Sequence, residues 1–257
     1  GTGISAQAGD TDSLGYVCAF WREPAGFCVR FAKCSGKNPE CLRSVGALEG
    51  RAENKHIFTG KATARLHGAS LPVPTKAVEW LMNMKNVAQL VQETKVVAIV
   101  RGLDSGYEQL AQALYDGGIR AIEVTFNQKD PSTWVQTTGA IHAIRETMGE
   151  KMAVGAGTVT TVELSQLAFD AGAEFIVSPD TNEAVIRRTK KLGMVSMPGA
   201  MTPTEIRQAY AAGADFVKVF PAGTLGSGYI KAIRGPLNNI PLLAVGGVSE
   251  KNAGEFM

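Results

Sequence analysis

Ala212-Gly213-Ala214-Asp215-Phe216-Val217-Lys218-Val219-Phe220-Pro221 joins a helix end, a strand and a lysine set among apolar residues within ten residues. Ala-Gly closes a helix, because glycine accepts the left-handed conformation of the residue after the last turn. The apolar run that follows lacks the polar alternation of a half-exposed strand. It has the pattern of a strand covered on both faces, as in a parallel sheet. Working outward, the same helix–turn–strand unit recurs at Ala171-Gly172 and at Gly117-Gly118. Strands are predicted at 96–101, 120–125, 152–157, 174–178, 193–198, 214–220 and 241–246, with starts 19–32 residues apart. That is the length of one βα unit, and seven units predict an α/β protein with a (β/α)8 barrel rather than a Rossmann sheet. The residues up to Met257 fall in the helix after the seventh strand. The barrel is therefore expected to lack its eighth βα unit and to leave two sheet edges open, with poor stability or activity as the consequence.

Upstream the pattern is different. Residues 1–80 show neither a sustained 3.6-residue nor a 2-residue apolar period, and Gly, Ser, Lys and Asn interrupt nearly every apolar group. They are expected to form an irregular extension ahead of a barrel over 85–257. Ala69-Ser70-Leu71-Pro72-Val73-Pro74-Thr75 has the composition of a linker. Met82 or Met84 is a natural start, so the preceding residues are expected to be upstream sequence rather than part of the working protein.

Composition narrows the function classes. The chain has 257 residues, 45% hydrophobic and 19% charged, which describes a globular protein. A net charge of +2 gives no argument for nucleic acid. Residues 1–80 hold 10 Lys/Arg against 7 Asp/Glu and the rest 16 against 17, so the basic excess is confined to the N-terminal stretch. No apolar run reaches the roughly 18 residues of a membrane span, and no signal peptide is visible, so a cytoplasmic location is expected. Cys18, Cys28, Cys34 and Cys41 contain no CxxC pair and are expected to be free thiols. His56, His67 and His142 form no metal-ligand cluster, and no GxSxG, Walker A or HExxH motif occurs.

Barrel chemistry sits at the C-terminal ends of the strands. Alternation places Phe216, Lys218 and Phe220 on one face. If that face is the interior, burial lowers the lysine pKa and frees an amine that attacks ketones. A lysine paired to a carboxylate without catalysis is an equal alternative at this point. Glu123, in Ala121-Ile122-Glu123-Val124-Thr125, is a second charge among apolar neighbours and needs a partner. It would serve either as a counter-ion for Lys218 or as the acid/base group that imine chemistry requires. Thr158, after Gly155-Ala156-Gly157, and Arg101, at the end of the first strand, are candidates for binding a carboxylate. Gly246-Gly247-Val248-Ser249 follows the seventh strand, where this fold often holds phosphate.

Taken in order, Ala121-Ile122-Glu123-Val124-Thr125, Gly155-Ala156-Gly157-Thr158-Val159, Ile176-Val177-Ser178-Pro179, Met197-Pro198-Gly199, Phe216 to Ala222 and Gly246-Gly247-Val248 resemble the 2-keto-3-deoxy-6-phosphogluconate/4-hydroxy-2-oxoglutarate aldolases. The resemblance runs from about residue 85 to 257 and covers none of residues 1–80. It implies a class I aldolase of carbohydrate metabolism (the Entner–Doudoroff type) that needs neither metal nor cofactor and is usually a trimer of (β/α)8 barrels. Its substrate is a keto-acid sugar phosphate split into pyruvate and glyceraldehyde 3-phosphate, or a hydroxy-oxoglutarate split into pyruvate and glyoxylate. The family's Schiff-base lysine falls on Lys218 and its acid/base glutamate on Glu123. Its carboxylate-binding threonine falls on Thr158, its pyruvate-pocket proline and phenylalanine on Pro198 and Phe220, and its phosphate glycines on Gly246 and Gly247.

Two departures carry weight. Asn127 stands where many relatives have an arginine, which leaves Arg101 as the cation for the carboxylate. Ala244-Val245 stands where many have Pro-Thr, which removes a hydroxyl near the sugar and makes a galactonate-derived epimer a plausible substrate. A phosphate-binding barrel isomerase or epimerase with Glu123 as base, and a non-catalytic barrel that binds small anions, are the alternatives from other classes.

Overall fold

The computed structural model describes residues 17–20, 63–66, 69–72, 87–101, 105–249 and 251–256. Each of the seven expected strands is present with its ends trimmed: β4 (Val96–Val100), β5 (Ala121–Thr125), β6 (Ala153–Gly157), β7 (Phe175–Val177), β8 (Val195–Met197) with β9 (Gly199–Ala200), β10 (Val217–Val219) and β11 (Leu242–Ala244). The fifth is split because Pro198 has no N–H to give to a ladder. Its first half pairs in parallel with β7 and its second half in parallel with β10. Helix α1 (residues 87–94) precedes β4. After it come α2 (Tyr107–Asp116), α3 (Trp134–Met148), α4 (Val162–Asp170), α5 (Glu183–Lys191), α6 (Pro203–Ala211), α7 (Ala222–Leu225), α8 (Ser227–Arg234) and α9 (Ala253–Phe256).

Local chemistry fixes the turns. Gly118, Gly172, Gly193 and Gly213 stand at φ of 94, 92, 79 and 110° where α2, α4, α5 and α6 hand over to the next strand. This is the left-handed position that only glycine takes without cost. At the start of β7, Glu174 accepts the Val154 N–H and pairs with Arg145 of α3 at 3.0 Å. Asp215 repeats the device ahead of β10, accepting the Ser196 N–H and pairing with Lys190 of α5 at 2.6 Å. Helix starts are capped by Thr161, Asn182 and Thr202, the last in a capping box with Glu205.

The expectation of two open sheet edges is overturned. A strand of the upstream segment, β1 (Val17–Phe20), lies antiparallel between β4 and β11, with Val17 opposite Ile99 and Phe20 opposite both Val96 and Ala244. Unpaired N–H and C=O groups at an edge accept any extended segment within reach. Four residues are too few to show a period, so the sequence pattern did not reveal this strand. With β8 and β9 counted as one broken strand, eight positions close the barrel. Among the described residues no eighth parallel βα unit is present. Where a linker is expected, Ala69–Pro72 is instead strand β3, paired antiparallel with β2 (Thr63–Leu66). Met82, Met84, Cys28, Cys34, Cys41, His56 and His67 lie outside the described residues; of Cys18 only the backbone pairing in β1 is described.

Two apolar layers result. Inside the barrel, Val97, Ile99, Phe175, Val195, Phe216 and Leu243 pack together, and Val87 and Val91 of α1 join them. Outside, the other face of each strand packs on the helices, as Val217 and Val219 do with Ile206 and Ala209 of α6. Among the described residues no helix is long and apolar enough to cross a membrane.

Candidate active site

Phe216 belongs to the interior cluster, so strand alternation puts Lys218 and Phe220 on the interior face as well. By the same alternation Ala121 brings Glu123 inside. The strand order places β5 and β10 four positions apart in either direction, so the two charges face one another across the barrel. Lys218 is 5% exposed and Glu123 3%. Among the described residues neither has an ion-pair partner within 4.0 Å. They are coupled by charge through space rather than closed onto each other.

Burial is the dominant influence on both groups. It pushes the Lys218 amine below the usual lysine range, while Glu123 and Asp180 pull it back up and Arg101 lowers it further. It pushes Glu123 above the usual carboxylate range, against the positive charges of Lys218 and Arg101. Each is therefore shifted toward its neutral form, and an amine facing a carboxyl is the pairing that imine formation uses. The Phe220 ring, 38% exposed at the mouth, lies 4.9 Å from Lys218 Nζ. Pro198, buried between β8 and β9, accepts the Lys218 backbone N–H at 2.8 Å. These two predicted pocket residues thus stand directly beside the lysine.

Glycines make the space. A side chain at Gly157 would overlap the Glu123 carboxyl, and one at Gly155 would overlap the Phe175 ring. Thr158, the next residue along, is half-buried and holds φ at 56°. A β-branched residue in the left-handed region is a backbone outlier costing about 1–3 kcal/mol, of a kind that collects at functional sites. Arg101 is exposed at the end of β4, yet its charge reaches both Glu123 and Lys218, so it belongs to the same mouth. Asn127 does not replace the arginine of other sequences. Its side chain accepts the Lys129 N–H and its carbonyl the Trp134 indole N–H.

Gly246 and Gly247, at φ of 85 and 73°, sit beyond β11. A Cβ on Gly246 would stand 2.8 Å from the Phe220 ring, and one on Gly223 would stand 2.6 Å from the Gly247 carbonyl. The Gly223 N–H donates to the Gly246 carbonyl at 2.7 Å. The two backbones therefore run in contact at the rim.

All eight predicted site residues lie at this end of the barrel. Sequence reasoning did not single out three residues that border them: Gly223 at the rim, Asp180 beyond β7, and Gln128 in the loop after β5. Gly223 lies apart from Gly246 and Gly247, where phosphate was expected, and loop polarity is ordinary at the other two, so none of the three carried a usable signal.

Comparison with known proteins points to one family. The family model for the KDPG and KHG aldolases matches residues 87–257. A probable 2-dehydro-3-deoxy-6-phosphogalactonate aldolase of Rhizobium meliloti is 42% identical over 167 residues, 64% of this chain and 76% of the relative. A solved native KDPGal structure is 37% identical, with a TM-score of 0.55 over 62% of this chain and 76% of that one. A KDPG aldolase from Legionella pneumophila, with pyruvate captured as a covalent carbinolamine, is 28% identical, with a TM-score of 0.54 over 62% of this chain and 74% of that one. A barrel with a desolvated lysine facing a protonatable glutamate, matched over the whole of residues 87–257, places this chain in the KDPG and KHG aldolase family.

Proposed function

We propose that this chain cleaves a 2-keto-3-deoxy-6-phospho sugar acid to pyruvate and glyceraldehyde 3-phosphate through a Schiff base on Lys218. The observation that carries the reading is the pair of desolvated groups, Lys218 and Glu123, facing each other across one barrel mouth. The neutral amine adds to the C2 carbonyl, and Glu123, through a water, supplies the protons that turn the carbinolamine into a protonated imine with loss of water. Glu123 then takes the proton of the C4 hydroxyl. The C3–C4 bond breaks, its electron pair moves into the enamine, and the aldehyde leaves. Protonation at C3 and hydrolysis release pyruvate and free Lys218. Thr158 and Arg101 hold the carboxylate, Pro198 and Phe220 line the pyruvate pocket, and Gly246 and Gly247 hold the phosphate. The same steps split 4-hydroxy-2-oxoglutarate into pyruvate and glyoxylate.

Borohydride reduction in the presence of pyruvate tests this. A reduced pyruvyl adduct on the peptide containing Lys218 is expected; full sugar-phosphate turnover without any adduct would refute the imine. Because burial depresses the amine, the trapping rate should fall as pH falls through the Lys218 pKa and level off below the 10.5 of an ordinary lysine.

Val245 favours a more specific substrate. It is 3% exposed and belongs to the interior cluster beside Leu243, so an apolar group meets the sugar where many relatives present a hydroxyl. Together with the phosphogalactonate name of the 42% identical relative, this supports the galactonate epimer as the better substrate. Val245→Thr should shift the ratio of kcat/KM values toward the gluconate epimer by about tenfold. An unchanged ratio, with both substrates assayed on both proteins, would return the choice to other residues. A homotrimer is the assembly the family implies. Val135 (69% exposed) and Leu167 (40% exposed) face one groove of about 380 Å³ between α3 and α4, which supports a face covered by another copy.

A further inference from the structure

Gln128 lies in the loop after β5, outside the apolar pattern and outside every motif of the family resemblance. Its side chain nevertheless spans two loops. Nε2 donates to the Thr158 carbonyl at 2.9 Å, and Oε1 accepts the Thr160 hydroxyl at 2.8 Å. One amide thus uses both of its ends on the same short stretch beyond β6. The far side of that stretch is held as well. Asn182, the cap of α5, donates to the Thr160 carbonyl at 3.4 Å, and the Val159 N–H reaches the Val177 carbonyl at 3.2 Å. Between these fixings Thr158 keeps its left-handed backbone.

We propose that Gln128 is a positioning residue for the substrate carboxylate: its amide holds Thr158 in the left-handed conformation that presents the Thr158 hydroxyl to the barrel mouth. The inference rests on the assignment of Thr158 to carboxylate binding made above. A left-handed threonine relaxes to an ordinary conformation unless its surroundings over-determine it. Its carbonyl is the group that swings when φ and ψ change, and that carbonyl is what Gln128 Nε2 grips. Thr160 fixes the amide itself by donating to its oxygen, which leaves the nitrogen directed at Thr158. In this chain the neighbouring Asn127 supplies no cation, so the carboxylate depends on Arg101 and a well-placed Thr158 hydroxyl. Both hydrogen bonds lie at the exposed rim, where water replaces a lost partner cheaply. Gln128 therefore contributes to the placement of Thr158 far more than to global stability.

The test compares two ketones on the intact chain. Pyruvate has the carboxylate and methyl pyruvate does not, while both present a keto carbon to Lys218. For Gln128→Leu, the pyruvate concentration giving half-maximal borohydride trapping on Lys218 should rise about tenfold, the effect of one ordinary net hydrogen bond, with that for methyl pyruvate unchanged. The maximal trapping rate should stay close to that of the parent. Thr160→Val removes only the hydroxyl that orients the amide. It should move pyruvate in the same direction by a smaller factor, and it serves as the test if Gln128→Leu does not fold. An unchanged pyruvate value in a folded variant overturns the inference. So does an equal rise for both ketones, which is what a general disturbance of the loop produces. Absence of trapping in the parent chain overturns the aldolase reading and this inference with it, whereas the other two outcomes overturn this inference alone.

Discussion

Lys218→Met is expected to abolish cleavage, by about 10^4-fold or more, while the barrel still folds. The amine is the only nucleophile the proposed route uses, and no neighbouring group replaces it. Methionine has a similar length and volume and keeps the interior filled. The structural cost arises elsewhere, at Glu123. That carboxyl is 3% exposed, and burial already raises its pKa against the attraction of Lys218 and Arg101. Without Lys218 part of the attraction disappears and the pKa rises further. A carboxyl whose folded pKa lies above its unfolded value binds its proton more tightly when folded. The associated stability is complete below the ordinary value of 4.5 and is lost as pH rises through the folded pKa. The variant should therefore be destabilised by about 1–3 kcal/mol at pH 8 and by less at pH 5. Thermal melts of both proteins at the two pH values check this, alongside the turnover assay. A variant that keeps turnover would overturn the Schiff base. One that is equally destabilised at both pH values would show that Glu123 does not titrate against Lys218.

How much of this was legible beforehand depends on the kind of signal each residue left. Lys218 and Glu123 were readable because a charge within a continuous apolar strand demands an explanation, and because strand alternation assigns it a face. The seven strands were readable because most units end a helix with glycine and bury both faces of the strand that follows. The split at Pro198 was readable in principle, since the missing N–H was in the sequence, yet only the barrel's closure shows why two half-strands serve two neighbours. Gln128 and Asp180 left no such signal. They stand in loops, where polarity is ordinary, and they meet segments 30 and more residues away in sequence only in the folded chain. Strand β1 was missed for another reason. It draws its pairing from the exposed edges of β4 and β11 rather than from a pattern of its own.

Two alanine substitutions on one strand separate the packing of the barrel from its chemistry. Gly155 and Gly157 lie two residues apart in β6, on the same interior face, and both leave space that a methyl group would take. At Gly155 the space is filled by the Phe175 ring, which is fully buried at the centre of the interior cluster. Phe175 has no room to retreat, because Val97, Ile99, Val195 and Phe216 pack around the same core. Gly155→Ala is therefore an overpacking substitution that should cost roughly 1–3 kcal/mol. For a domain of this size that lowers Tm by about 2–4 °C per kcal/mol. At Gly157 the space belongs to the Glu123 carboxyl, with Thr125 Cγ2 at 2.6 Å from the added methyl. The carboxyl is the far end of a flexible side chain and can yield by rotating about its own bonds. Stability then falls less than for Gly155→Ala, but the acid/base group is displaced by about an ångström from the line between water and substrate. Misplacement on that scale costs about 10^2-fold in rate. Gly157→Ala should thus lose about 100-fold in kcat with a smaller drop in Tm. It should still form the pyruvate adduct, because Lys218 is untouched, but slowly. Gly155→Ala should lose more Tm and keep most of its kcat at temperatures where it remains folded. Equal losses of kcat in the two variants, measured well below both melting temperatures, would mean that Glu123 is held by the packing of the barrel and not by the space at Gly157.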